Sequence, residues 1–244
     1  MGLIDLHVHL LPGVDDGPAT PDEALAMCRL AAADGSETLI VTPHQRHELW
    51  PNDDRGALQR AFEALEAAVG PAPKLVLGAE LRVDSEILAE VDALPGGSLL
   101  SLAESRYLLL EFPSLPGGPE PVDIVHELRI AGWWPIVAHP ERIPWLAEDP
   151  ERLIELAERG ALFQLTAMSV TGDLGRRAQA CCAFLLDEAL AHFVASDAHN
   201  ATRRAPRLST AFRTVAERWG EQTARRLFAD NPAAVLADRP LPVS

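Results

Sequence analysis

Apolar, β-branched runs alternate with stretches of helical periodicity from one end of the chain to the other. Seven runs read as strands: Leu3-Ile4-Asp5-Leu6-His7-Val8-His9, Thr38–Thr42, Lys74–Leu77, Tyr107–Phe112, Pro135–Ala138, Ala161–Thr166 and Phe193–Ala195. Between them lie helical patterns. Thr20-Pro21-Asp22-Glu23 has the spacing of a capping box with proline at the first helical position, and Leu25, Cys28 and Ala32 then recur on one face. Leu58, Phe62 and Leu65 make the apolar face of a second helix, and further helices are expected over about Ser85–Ala93, Pro121–Ala131, Pro150–Arg159 and Leu174–Ala191. The stretch from about Ala205 to Ala237 is helical, with Asn231-Pro232 opening a short last helix. This alternation is the signature of βα units on a mainly parallel sheet. The expected fold is a distorted TIM-like (β/α)7 barrel, one domain over residues 1–244, with its active site at the C-terminal ends of the strands.

What stands at those ends changes the picture. The first strand carries His7 and His9, which point the same way because strand side chains alternate with a period of two. The later strands run out to His44, Glu80, Glu111, His139, and Asp197 with His199, and the turn after the first strand adds Asp15. Five histidines and four carboxylates exceed the needs of one ion; mixed nitrogen and oxygen donors suit Mn²⁺, Fe²⁺ or Zn²⁺, and a carboxylate such as Glu80 can bridge two ions. A site of two or three metals is implied. His47 in a loop, His126 on a helix and His192 at the start of a strand are expected to be loop, surface or capping residues.

Composition narrows the class. With 48% hydrophobic and 23% charged residues in 244, the chain reads as an ordinary globular protein. No apolar run is long enough to span a membrane and no signal peptide is recognisable, so a cytoplasmic location without membrane insertion is expected. A formal charge of −15 argues against a nucleic-acid surface. A homo-oligomer is left open. Cys28, Cys181 and Cys182 form neither a disulfide framework nor a CxxC knuckle and read as buried small hydrophobes.

The motifs Asp-x-His-x-His followed by Pro-Gly-x-Asp-Asp-Gly, then Thr42-Pro43-His44, Gly78-Ala79-Glu80, His139-Pro140-Glu141-Arg142 and Ser196-Asp197-Ala198-His199-Asn200 resemble those of the PHP superfamily (polymerase and histidinol phosphatase). The match is nearest to the bacterial manganese-dependent protein-tyrosine phosphatases of the CpsB/YwqE type, which act on tyrosine kinases of capsule and exopolysaccharide synthesis. The resemblance runs the length of the chain. It implies a trinuclear centre with His7, His9, Glu80 and Asp197 on one metal, Glu80 bridging to a second held with Glu111 and His139, and Asp15, His44 and His199 on a third. Manganese is the expected ion, with Fe²⁺, Zn²⁺, Co²⁺ or Mg²⁺ as alternatives. Arg142 and Arg204 correspond to arginines expected to bind the substrate phosphate during catalysis, with Arg203 a rival for Arg204 and a substrate role suggested for Arg46. Among Trp50, Trp133, Trp134 and Trp145 a stacking surface for a tyrosine ring is to be sought, although packing is the default role of each.

Clustered divalent ions bring the pKa of bound water toward neutrality and neutralise charge on a phosphoryl group in transfer, so an in-line attack by a metal-activated hydroxide is expected, with the arginines on the non-bridging oxygens. A cysteine phosphatase needs Cys and Arg six positions apart, and the three cysteines are followed at that distance by Asp34, Asp187 and Glu188. An amidohydrolase bridged by a modified lysine finds little support, because the single lysine, Lys74, begins a strand instead of ending one. The alternatives carried are a small-molecule phosphatase, such as one for histidinol phosphate, and a non-catalytic metal-binding docking module.

Overall fold

A computed structural model of the chain describes residues 2–241. The elements run β1 (Leu3–Val8), α1 (Pro21–Asp34), β2 (Ser36–Val41), β3 (His44–Gln45), α2 (Arg55–Val69), β4 (Lys74–Leu77), β5 (Glu80–Arg82) and α3 (Ile87–Val91). They continue with β6 (Tyr107–Glu111), α4 (Pro121–Ile130), β7 (Trp134–Ala138), α5 (Pro144–Ala147), α6 (Pro150–Glu158), β8 (Leu162–Thr166), α7 (Ala167–Thr171) and α8 (Arg176–Asp187). Last come β9 (Ala191–Ala195), α9 (Ser209–Trp219), α10 (Glu221–Arg225) and α11 (Asn231–Leu236), α10 and α11 being joined through a π-helical turn.

The strand pairings among the described residues are parallel, in two sheets ordered β1-β2-β4 and β3-β5-β6-β7-β8-β9. The division into two sheets departs from seven unbroken strands. At Pro43 the backbone has no N–H to give the ladder, so the second strand stops at Val41 and resumes as β3; the third breaks likewise at Gly78-Ala79 before β5. Single hydrogen bonds carry the chain across these breaks, from the Gly78 N–H to the Val41 carbonyl (2.9 Å) and from Glu80 to Pro43 (3.1 Å). The last strand returns to the first: Asp197 donates to the His7 carbonyl and His9 to the Ala198 carbonyl, both at 2.9 Å. The architecture is therefore the expected mixed α/β, distorted barrel-type arrangement.

Strand period two sorts the core into two faces. Leu6, Ile40, Leu109, Ile136, Phe193 and Ala195 face one another inside, with Val235 of α11 packed among them. Their neighbours Leu39, Val41, Leu108, Leu110, Val137 and Val194 face the surrounding helices. Burial on both faces explains why these runs show little polar alternation. The Thr20 cap forms as expected, accepting from the Glu23 N–H (3.3 Å), while the Glu23 carboxylate reaches back one residue further, to the Ala19 N–H (3.1 Å); Gly35, at φ +105°, ends α1 in the left-handed region. The C-terminal helical stretch starts later than expected, at Ser209, because Leu208 and Ser209 are held by the Asp34 carboxylate at the end of α1 (2.7 and 2.8 Å).

Candidate metal centre

The interior of the strand ring is apolar, but its C-terminal end is filled by histidines and carboxylates. His7 and His9 are fully buried with their Nε2 atoms 3.2 Å apart. Glu80, opposite His44 in the β3–β5 register, is the hub: its Oε2 lies 3.3 Å from His7 Nε2, 3.4 Å from His9 Nε2 and 3.1 Å from His44 Nδ1, and its Oε1 meets His139 Nε2 at 2.9 Å. Asp197 Oδ1 lies 3.5 Å from His7 Nε2 and 3.7 Å from His9 Nε2. Asp197 and His139 sit at positive φ (+50° and +33°), a conformation a non-glycine residue adopts at a cost in energy and one that aims both side chains back over the strand ends.

Three groups of donor atoms, each mutually within 4.8 Å, emerge: His9, Asp16, His44 and His199; His7, His9 and Asp197; and His44, Glu80 and Glu111. The two aspartates of the first turn face different partners. Asp15 is in none of these groups, because its carboxylate is engaged elsewhere: it accepts from His9 Nδ1 (2.7 Å), the His44 N–H (3.0 Å) and the Gly17 N–H (2.9 Å). Asp16 is the residue whose Oδ1 faces His199 Nε2 (3.1 Å) and His44 Nε2 (3.4 Å). The turn leaves Asp15 as the group that orients His9 and Asp16 as the one that faces the centre.

The supporting bonds were not anticipated. Gln164 of β8 fixes His7 through Nδ1 (2.8 Å), and Asp5 Oδ1 accepts from the Ser196 N–H (3.0 Å), pinning β1 to the loop that carries Asp197. Asp5 could have been found, since it shares the period-two face of His7 and His9; Gln164 carried no local signal. Burial pushes the Asp5 carboxyl up to about 6. Burial also disfavours a charge on His7 and His9, yet Glu80 and Asp197 around the first and Asp15 beside the second raise both above the ordinary histidine range. Burial likewise opposes ionisation of Glu80 and Asp197, but His7 and, for Asp197, the Arg142 and Arg204 guanidinium groups hold both carboxyls below the usual range. The centre thus favours positive charge. His44 Nδ1, His139 Nδ1 and Glu111 Oε2 are buried and have no hydrogen-bond partner in good geometry. His44 and Glu111 belong to one of the three donor groups, where a divalent ion would satisfy these lone pairs in place of Arg82 Nη1, which lies 3.1 Å from Glu111 Oε2.

Above the centre lies a pocket of about 150 Å³, lined by Asp16, His44, Glu80, Glu111, His139, Asp197, His199, Arg142 and Arg204, and by Trp50, His47, Phe112 and Ser114. Arg142 Nη1 and Arg204 Nη2 both donate to Asp197 Oδ2, the second at 2.7 Å. Arg204 lines this pocket, whereas Arg203 lines a different groove. Arg46 does not reach the pocket: its guanidinium is nearly buried and tied by ion pairs to Asp84 and Glu90. Of the four tryptophans considered, only Trp50 lines the pocket, stacked on His44 (5.5 Å, 10°), with His47, expected to be a bystander, stacked on Trp50 (4.7 Å). Trp134 instead stacks on Tyr107 and Trp145 donates to the Pro113 carbonyl. Cys28, Cys181 and Cys182 are buried away from the pocket, and burial pushes the Cys28 thiol up to about 11 and Cys181 to about 12.

Fold and site together define an α/β protein whose strand ends converge on a polynuclear candidate metal centre flanked by two arginines. The chain belongs to the CpsB/CapC family of capsular polysaccharide synthesis, whose pattern matches residues 3–237. It is 36% identical over 206 residues to the tyrosine-protein phosphatase YwqE of Bacillus subtilis (strain 168), covering 83% of this chain and 79% of that one. It is 28% identical over 244 residues to the tyrosine-protein phosphatase CpsB of Streptococcus pneumoniae, covering 97% and 99%. Among solved structures it matches one from the crystal structures of YwqE and CpsB, described as unique metal-dependent tyrosine phosphatases, with TM-score 0.90 and 31% identity over 99% of this chain and 100% of that one.

Proposed function

We propose that the chain is a metal-dependent phosphotyrosine-protein phosphatase of the PHP superfamily, a single domain over residues 1–244, acting in the cytoplasm on a tyrosine kinase of capsule or exopolysaccharide synthesis. The observation that carries this reading is one small pocket, lined by two arginines and an aromatic wall, set over three clusters of metal-donor atoms. Family membership and the metal-dependent tyrosine phosphatases it resembles support the same activity.

The donors fit three ions. His7, His9, Glu80 and Asp197 would hold one, Glu80, Glu111 and His139 a second, and Asp16, His44 and His199 a third, with Asp15 holding His9 in its orientation. Manganese suits this mixture of imidazole and carboxylate. Bound there, divalent ions supply an activated water nucleophile and neutralise charge on the phosphoryl group. The chain's own residues do the rest. Arg142 and Arg204, already converging on Asp197, present planar donors to the non-bridging phosphate oxygens. Trp50, stacked on His44, offers a flat apolar face to the tyrosine ring as it enters. The cysteines, buried away from the pocket and held as neutral thiols by that burial, take no part.

The test is a side-by-side assay in Mn²⁺ of p-nitrophenyl phosphate, a phosphotyrosyl peptide, the matching phosphoseryl peptide and histidinol phosphate. Turnover of the first two, abolished by chelation and by His44→Ala, is expected. Faster turnover of histidinol phosphate than of the phosphotyrosyl peptide would overturn the protein substrate, and no turnover with any divalent metal would overturn the phosphatase.

A further inference from the structure

The loop that delivers Arg204 to the metal pocket carries two further arginines that the reaction does not use. Arg203 and Arg207 are exposed, and neither guanidinium has an ion-pair or hydrogen-bond partner among the described residues. The chain's net charge is −15, and the arginines nearest the metal centre, Arg46, Arg82, Arg142 and Arg204, are all matched to carboxylates, whereas these two are not. Both line a groove of about 300 Å³ between α7 and the start of α9. Its floor is small and apolar (Ala167, Met168, Ala205, Ala211), and Thr202 and Thr210 add hydroxyls.

One acidic group also lines it. Asp173 accepts from Thr171 Oγ1 at 2.6 Å and lies beyond ion-pair distance of both arginines, so their charge is not neutralised from within. The groove and the metal pocket flank the same loop. Arg204 lines one and its chain neighbours Arg203 and Ala205 line the other, and consecutive Cα atoms are only about 3.8 Å apart. The metal pocket, at about 150 Å³, has room for a phosphorylated ring and little else, so the peptide on either side of the ring must lie across its rim.

We propose that the Arg203–Arg207 groove is a second anion subsite, which takes a negatively charged side chain a few residues from the phosphotyrosine being hydrolysed. The proposal rests on the phosphatase reading above. The ligand chemistry is an exposed anion on an extended peptide, supplied by a carboxylate or by a second phosphate. Two guanidinium groups suit either, and a dianionic phosphate, with its additional acceptor oxygens, more strongly. Because the contacts are at the surface, they strengthen substrate capture and are weakened by salt.

The experiment compares kcat/KM of the full chain in Mn²⁺ on phosphotyrosyl peptides whose flanking positions, from four before to four after, are neutral, carry one glutamate, or carry a second phosphotyrosine. Wild type and the variants Arg207→Ala and Arg203→Glu/Arg207→Glu are measured alongside p-nitrophenyl phosphate, which has nothing to place in the groove. An acidic flank is expected to raise kcat/KM about three- to tenfold, through KM, at one or two positions, and a second phosphate by more. Both variants are expected to remove that preference and to hydrolyse p-nitrophenyl phosphate as the wild type does. Salt at about 0.5 M, where the Debye length is below about 5 Å, should shrink it likewise. A preference confined to the second phosphate would assign the groove to phosphate, and one of equal size with glutamate to any anion. Equal rates on neutral and acidic peptides, or a preference that survives Arg203→Glu/Arg207→Glu, would overturn the subsite while the phosphatase stands. Loss of p-nitrophenyl phosphate turnover in the wild type would instead remove the reading on which it rests.

Discussion

The adjacent aspartates of the first turn make the sharpest test of the geometry. In Asp15→Asn the amide keeps one acceptor oxygen, which can still serve His9 Nδ1 and the His44 N–H, both of which now use Oδ2. Its NH₂ then faces the Gly17 N–H, which loses its 2.9 Å partner, and the negative charge beside His9 is gone. Hydrogen bonds to a charged group are worth about 1.5–3 kcal/mol each, and loss of a partner that orients a metal-binding histidine costs about 10- to 100-fold in metal affinity. Asp15→Asn should therefore raise the Mn²⁺ concentration for half-maximal hydrolysis of p-nitrophenyl phosphate by that factor and recover most activity at saturation. Asp16→Asn removes the carboxylate that faces His44 and His199, leaving those two imidazoles without an anionic donor of their own. It should lose one equivalent of metal after dialysis, measured by elemental analysis, and stay impaired at any Mn²⁺ concentration. Loss of an equivalent in Asp15→Asn with Asp16→Asn near wild type would refute the assignment and return the ligand role to Asp15.

Arg142→Lys keeps the charge but not the planar fork, and should lower kcat/KM on p-nitrophenyl phosphate by about 10- to 100-fold without changing metal content. Gly78→Ala would bring a methyl group 2.9 Å from Leu102 Cδ2 and 3.1 Å from its Cα, against backbone that cannot turn aside, so a loss of about 1–3 kcal/mol in denaturant unfolding is expected. His192, far from the centre, accepts the Phe163 N–H through Nδ1 (3.1 Å), and burial lowers its pKa to about 4. The unfolded chain binds this proton near pH 6.5 and the folded one only near 4. Stability is therefore full above pH 6.5 and falls between 6.5 and 4, by no more than about 3 kcal/mol in all. His192→Gln, which has no proton to gain, should be less steep over that window in urea midpoints measured at successive pH values; an unchanged slope would rule out this histidine.

The strand–helix alternation and the residue types at the strand ends were local properties, and they reached the sheet order and the donor inventory because parallel strands in a barrel-type fold end on one face. His7 and His9 are the clearest case: a period of two makes them neighbours before any tertiary contact exists. The breaks at Pro43 and Gly78 were visible as residues, but their effect, splitting the ring into two hydrogen-bonded sheets, depended on which strand lay alongside. Tertiary structure alone decided among residues that chemistry does not distinguish. Asp15 and Asp16 are the same side chain one residue apart, and the path of the turn, with Gly13 at φ +69° and the Asp15 carboxylate anchored on the His44 backbone, selects which one faces the centre. Arg46, Arg203 and Arg204 are equally good phosphate ligands by type; Asp84 and Glu90 draw off the first, the loop turns the second toward α7, and only the third meets Asp197. His47 and Trp50 became pocket residues through stacking on His44, an arrangement that no local pattern encodes. Sequence by itself determined that strands would end in metal-binding side chains, since periodicity and residue type act over a few bonds. Which of those side chains face one another, and which are tied instead to a neighbouring group, was decided only where segments distant in sequence came within about 3 Å of one another, the range over which hydrogen bonds and ligation discriminate.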